Sequence, residues 1–328
     1  MKLPIPTVWM RAVIACAFTV AATAPALAVD AFPSRPVRIV VATAPGGWGD
    51  ATMRLVAIKM SEKLGQPIVI DNRPGADSLV GIRHVKSSPP DGYTLLSTGA
   101  TIMLQPVVKK DPGYDLLKDF TGVGSTARSP ALMVVPTSSP EKSLSDFVKL
   151  AKADPGRMTY GSAGVGSATH IPAEMFMQKA DVKMLHVPYK GNGAGMADLM
   201  SGRISMMFDA YGSSVGNLKG GRLKALGVTS DTRLRALPDV PTFAEQGFPG
   251  LSYYYWLGLF APAGTPPEVV QRLSAALNAA LADPALSNRL QSEGTEPMVM
   301  SPAGFNAYLA AESARIGKFA TDLGWTKE

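Results

Sequence analysis

Short β-branched runs alternate with longer stretches in which apolar residues return every three or four positions, the pattern of parallel sheets covered by helices. Residues 37–43 read as the first strand. Asp50 is then expected to cap a helix to about residue 64, with Met53, Leu55, Val56, Met60 and Leu64 on its apolar face. A strand at 67–71, a helix at 78–86 and an Asp91-Gly92 turn into a strand at 93–97 complete one α/β set. A second set runs from a strand at 131–135 through a helix capped by Ser143, whose Asp146 closes a Ser-x-x-Asp box, to a strand at 158–160. The glycine-rich loop 161–166 leads into a helix to about 178. A strand at 184–187, a helix at 194–200 and strands at 204–208 and 223–229 follow. Residues 253–260 are expected to return the chain to the first set. A helix capped by Thr265 and a long one opened by Ser301-Pro302, over 303–322, finish it.

The first residues stand outside this pattern. Lys2 and Arg11, an apolar stretch from Ala12 and the small-residue site Ala26-Leu27-Ala28 have the layout of a secretory signal, cleaved after Ala28. The apolar run is shorter than the roughly 20 residues a spanning helix needs. Val13-Ile14-Ala15-Cys16 resembles a lipoprotein box, but so short a run precedes Cys16 that a cleaved signal without a lipid anchor is the reading. The mature chain then holds no cysteine, which removes disulfides, thiol nucleophiles and thiolate metal sites together. Losing Lys2 and Arg11 takes the formal charge from +6 to +4, a mild excess that suits anionic ligands. Basic residues are interspersed with acidic ones, which argues against nucleic acid. At about 100–200 residues per domain, the mature chain is long enough for two lobes. Lobe 1 is expected to be discontinuous, 29–126 with 252–328, and lobe 2 to be 127–251.

Two loops carry candidate chemistry. Ala44-Pro45-Gly46-Gly47-Trp48-Gly49-Asp50 joins a strand end to a helix start, where free N–H groups and the helix dipole favour an anion; a plain glycine turn with a cap is the alternative. Tyr160-Gly161-Ser162-Ala163-Gly164-Val165-Gly166-Ser167-Ala168-Thr169-His170 repeats the arrangement and adds hydroxyls. It lacks the Lys-Ser/Thr of a phosphate loop and the Gly-x-Ser-x-Gly of a nucleophile elbow, leaving an uncharged cradle for a carboxylate. His84, His170 and His186 show no paired spacing and no second histidine nearby in sequence, so no metal site is expected. Asp209 ends an apolar strand and needs a partner if buried, whether ligand or backbone. The run Tyr253-Tyr254-Tyr255-Trp256 is expected to point two rings at the core and two at solvent or a cleft.

Taken in order, several tracts resemble the substrate-binding proteins of tripartite tricarboxylate transporters, the Bug family. They include Pro33-Ser34-Arg35-Pro36-Val37, the Ala-Pro-Gly-Gly loop with Asp50, Asn72-Arg73-Pro74-Gly75-Ala76, and Pro90-Asp91-Gly92-Tyr93. Tyr160 to Ser167, Val187-Pro188-Tyr189-Lys190-Gly191, Met207-Phe208-Asp209, Leu237-Pro238-Asp239-Val240-Pro241-Thr242 and Ala261-Pro262-Ala263-Gly264-Thr265-Pro266 continue the likeness. The resemblance implies a two-lobed, flytrap-like periplasmic-binding-protein fold of type II. Each lobe would be a mixed sheet flanked by helices, with the ligand between lobes. It also implies a monomeric, cofactor-free receptor that delivers a small organic carboxylate to integral membrane transporter subunits. A sensor feeding a signalling receptor is the alternative, and a serine hydrolase a remote one. By position the family's ligand contacts fall on Ala44, Gly46, Gly47, Trp48 and Asp50, on Thr98, on Ser162, Gly166, Ser167, Thr169 and His170, and on Asp209. Val165 in place of the usual Asn, Trp48-Gly49, and Ala100-Thr101-Ile102-Met103 depart from the family pattern toward a more apolar pocket.

Overall fold

The computed structural model describes Met1 and residues 32–322, 324, 325 and 327; the signal segment and Cys16 lie outside the described residues. In the first third, β1 (Val37–Val41), α1 (Trp48–Leu64), β2 (Ile68–Asn72), α2 (Leu79–Lys86) and β3 (Thr94–Thr98) alternate, followed by α3 (Thr101–Val108) and the short α4 (Leu116–Asp119). Next comes β4 (Phe120–Pro136), then α5 (Leu144–Ala153), β5 (Thr159–Ser162), α6 (His170–Ala180), β6 (Leu185–Pro188), α7 (Asn192–Met200), β7 (Met206–Ala210), α8 (Tyr211–Lys219) and β8 (Leu223–Val228). The chain closes with β9 (Tyr254–Pro262), α9 (Pro267–Leu281), α10 (Pro284–Ser292), β10 (Glu296–Pro297) and α11 (Pro302–Asp322).

The strands run in the order β2-β1-β3-β9-β4-β7-β5-β6, with β8 and β10 also paired to β4. β1 lies parallel between β2 and β3, and β5 lies parallel between β6 and β7. β4 joins these two parallel groups. Residues 120–130 pair antiparallel with β9, and residues 131–136 go on to pair with β7 and β8. All loops that follow the parallel strands therefore leave at strand carboxyl ends, where open α/β sheets place their ligands.

Four expectations are corrected. The strand expected at 131–135 is the second half of a 17-residue one. Its first half carries Gly122, Gly124, Ser125 and Thr126, and the glycines are there for packing. A Cβ on Gly122 would sit 2.8 Å from Phe305 Cδ1 of α11, so only glycine lets that helix lie on the strand. Asp50 is the third residue of α1, not its cap, which is Gly47. Thr265 does not cap α9 either: the cap position is Pro266, and the Thr265 hydroxyl donates to the Pro262 carbonyl at 2.8 Å. Finally, Tyr253, Tyr255 and Trp256 are all buried and only Tyr254 is half-exposed, because this end of β9 is covered on both faces. The helices α3, α4, α8 and α10 were not foreseen.

Candidate functional site

Three contacts bring the loops of the two parallel groups face to face. Gly166, at φ +67°, comes so close to Val108 at the end of α3 that a Cβ there would lie 2.7 Å from the valine Cγ atoms. A Cβ on Gly164 would lie 3.2 Å from Asp77 Oδ1, before α2. A Cβ on Gly212 in α8 would lie 3.2 Å from Cδ1 of Trp48, at the start of α1. Of the sequence-derived candidates, Ala44, Gly46, Gly47, Trp48 and Asp50 lie on the first side with Thr98, which ends β3. Ser162, Gly166, Ser167, Thr169, His170 and Asp209 lie on the second.

The side chains divide into those that line the interface and those that hold it. Ala44 and Gly46 are exposed and Gly47 half-buried. Asp50, 3% exposed, lies under the first loop. Its Oδ2 accepts from Gly46 N–H at 2.9 Å and from Arg54 Nε at 3.0 Å, and its Oδ1 from Asn72 Nδ2 at 2.8 Å. Burial alone would raise the Asp50 pKa, but the bonds from Arg54, Gly46 and Asn72 outweigh it and hold the carboxyl below its ordinary range. Trp48 donates its indole N–H to Thr295 Oγ1 at 2.8 Å, and its ring centre is 6.5 Å from that of Tyr255.

On the second side, hydroxyls tie the glycine loop to itself. Ala163 N–H donates to Thr169 Oγ1 at 2.9 Å, Gly164 N–H to Ser162 Oγ at 3.1 Å, and the Ser167 and Thr169 hydroxyls meet at 3.2 Å. His170 is buried beneath the loop, with Nδ1 accepting from Gly166 N–H at 3.2 Å. His186 Nε2 lies 2.7 Å from Ser162 Oγ. His170 thus has a second histidine beside it in space though none near it in sequence. Pairing of β5 with β6 sets Tyr160 opposite His186, and the His170 and His186 rings stack at 4.2 Å. Tyr160 packs against both rings, at 4.7 Å from His186 and 6.0 Å from His170, with its hydroxyl 3.1 Å from His170 Nε2, and Trp325 stacks on His170 at 4.9 Å. Glu174 accepts from the Tyr160 hydroxyl and lies 3.3 Å from His170 Nε2. Among the described residues no cluster of three or more His, Cys, Asp and Glu side chains could hold a metal.

Asp209 is buried near the end of β7, two residues before α8. Its Oδ1 accepts from Asn192 Nδ2 and its Oδ2 from Ser214 Oγ, both at 2.6 Å. Here burial outweighs those bonds and raises the carboxyl pKa, the opposite of Asp50.

The helix starts supply a further regularity. α4, α5 and α10 are capped by the side chains of Asp115, Ser143 and Asp283. None of the helices that begin at the facing loops, α1, α2, α3, α6, α7 and α8, has a side-chain cap; α9, which starts after Pro266, has none either.

Comparison with known proteins decides the family: the profile described as "Tripartite tricarboxylate transporter family receptor" matches residues 52–325. The chain belongs to this family. Its relatives include a UPF0065 protein from the tcbD-tcbE intergenic region of Pseudomonas sp. strain P51. That relative is 38% identical over 310 residues, covering 94% of this chain and 92% of its own. Rpa4515 of R. palustris, solved with adipate, is 35% identical with a TM-score of 0.86, over 90% of this chain and 100% of that one. MatC of Rhodopseudomonas palustris, with bound malate, is 32% identical with a TM-score of 0.78, over 88% and 99%. The fold is accordingly that of a two-lobed periplasmic binding protein, and the family is one of solute-binding receptors, not enzymes.

Sequence reading missed Asn192 and Trp325 around this interface, weighed His186 only as a metal ligand and placed Tyr255 only within an aromatic run. Asn192 left a signal, directly after the Pro188-Tyr189-Lys190-Gly191 tract. The other three reach the site through strand pairing and packing.

Proposed function

We propose that this receptor captures a small organic carboxylate between lobes 29–126 with 252–328 and 127–251, and hands it to the integral membrane subunits of a tripartite tricarboxylate-type transporter. One observation carries the reading: every helix start at the facing loops is left without a side-chain cap, whereas elsewhere α4, α5 and α10 have one and α9 does not. An uncapped first turn offers N–H donors and the positive end of the helix dipole to a carboxylate. Such starts on both sides of the interface suit a ligand with two anionic or polar ends, and relatives hold adipate and malate. In this reading Ala44, Gly46, Gly47, Thr98, Ser162, Ser167 and Thr169 surround the ligand, with Trp48 as an apolar wall. Asp50, His170 and Asp209 hold the loops in shape. The ligand binds the closed arrangement better than the open one and so shifts the population toward it.

Native mass spectrometry of freshly purified protein tests the ligand, followed by unfolding, refolding and thermal shifts against mono-, di- and tricarboxylates. A carboxylate is expected to raise the melting temperature in proportion to the logarithm of its concentration. Refolded protein that binds none of the series would sink the reading. Delivery is tested by uptake of the identified ligand in cells lacking this receptor. Uptake is expected to be lost and restored by adding the receptor back; undiminished uptake argues for a role outside transport.

A further inference from the structure

The last helix runs along the strands that join the proposed lobes and ends at the second glycine loop. Near its start, Phe305 of α11 fills the space that a side chain on Gly258 would need, and Gly122 N–H donates to Asn306 Oδ1 at 3.1 Å. Tyr308 meets Trp256 edge-on at 5.7 Å, and Glu312 and Arg315 line one groove with Tyr253 and Tyr254. α11 therefore follows β9 antiparallel, past its first residues. Beyond the helix, Trp325 stacks on His170, with ring centres 4.9 Å apart and 8° between ring planes.

The backbone aims that ring. Gly324 sits at φ +67°, its N–H donates to the Thr321 carbonyl at 3.0 Å, and Trp325 N–H donates to the Ala320 carbonyl at 2.9 Å. This pair of bonds is the closing turn in which a left-handed glycine ends a helix, and it brings an apolar contact back to the last turn. That contact is present: the Trp325 and Phe319 ring centres lie 6.3 Å apart.

His170 is where the aim matters. Its Nδ1 accepts from Gly166 N–H at 3.2 Å, while Nε2 lies 3.1 Å from the Tyr160 hydroxyl and 3.3 Å from Glu174 Oε1. Imidazole nitrogens bond in the plane of the ring, so turning the ring out of that plane breaks both sets together. Rings stacked against it oppose the turn. His186 and Tyr160 do so from within residues 127–251, and Trp325 does so from α11.

We propose that Trp325 is a positioning residue for the ligand loop. Stacked on His170, it holds the imidazole that anchors Gly166 N–H, and through α11 it ties the shape of residues 161–170 to Gly122 and Gly258 at the other end of the helix. A loop already held in its binding shape costs less to order when the ligand arrives, so apparent affinity rises with the fraction of molecules in that shape.

The inference rests on the reading of this loop as part of a carboxylate site, and two measurements separate them: hydrogen–deuterium exchange without ligand, and calorimetric titration with adipate and malate. Trp325→Phe keeps a ring to stack, whereas Trp325→Leu keeps apolar bulk without one. Trp325→Leu is expected to speed exchange of the 161–170 amides, and to weaken binding, by about threefold to tenfold, the worth of one aromatic pair. Trp325→Phe is expected to stay close to wild type in both. Loop exchange and affinity unchanged in Trp325→Leu overturn the inference, even if that variant melts lower, because Trp325 then serves packing alone. Equal losses in Trp325→Leu and Trp325→Phe overturn it as well. Wild type that binds neither acid counts against the carboxylate reading only; the exchange comparison needs no ligand and still decides the role of Trp325.

Discussion

Among single residues, the stacked histidines carry the clearest pH dependence. His186 is pushed down to about 4 from its ordinary 6.5, first by burial and then by the neighbouring His170, against a smaller opposing pull from Glu174. A depressed histidine favours the folded state while neutral. Its contribution is therefore complete above pH 6.5 and lost progressively as pH falls toward 4. The melting temperature of the unliganded protein is expected to fall across that window, and His186→Gln to flatten the fall by a few degrees. An unchanged slope in the variant would show that other groups carry it. Glu174 titrates lower: burial raises its pKa, but bonds from His170 and Tyr160 prevail and lower it. None of this was legible in the spacing of the histidines, which are 16 positions apart in the chain and meet because the start of α6 packs over the β6 strand that pairs with β5. Ser143 shows the opposite case. Its capping bond to Asp146 N–H at 3.1 Å spans one helical turn, and the Ser-x-x-Asp pattern announced it.

At the level of elements, periodicity found the strands and helices whose composition answers to their own burial, and failed where a neighbour dictates composition. The first half of β4 is the plainest failure. Its glycines read as loop, yet each marks a helix lying on the strand, Phe305 of α11 on Gly122 and Leu277 of α9 on Gly124. Gly122 is not among the positive-φ positions, so an alanine there meets a packing conflict without backbone strain. Gly122→Ala is expected to cost about 1–3 kcal/mol of unfolding free energy, the range for overpacked cores. Chemical denaturation measures it, and a cost near zero would mean that α11 shifts freely on the sheet. The position of the two glycine loops was legible for a different reason: each joins a strand end to a helix start over a few residues, so the geometry proposed to bind an anion is local. What the tracts did not reveal is that Asp50, His170 and Asp209 spend their polar atoms inside the protein.

For the whole molecule, the contacts that matter join residues far apart in the chain, such as Trp48 with Thr295 and Val108 with Gly166, and no short-range pattern encodes them. Of these, Val108 with Gly166 joins the two proposed lobes and belongs to the closed arrangement of the proposed mechanism, which makes closure testable. β4 and β9 are the strands through which the proposed lobes connect, so a change of angle between lobes has to be absorbed near Arg128, Ser129 and Pro130 and their partners Trp256, Tyr255 and Tyr254. Small-angle scattering is expected to give a smaller radius of gyration with carboxylate than without, the liganded curve matching the arrangement described here. Gly166→Ala sets a methyl against Val108 at a positive-φ position, so it opposes the closed state twice while leaving the open one only the backbone strain. Apparent affinity scales with the fraction of molecules able to close. Gly166→Ala should therefore bind more weakly and keep a larger radius at matched ligand concentration, and Val108→Ala in the same chain should restore part of both. Weaker binding with a wild-type radius would place the effect of Gly166 in direct ligand contact and remove closure from its account.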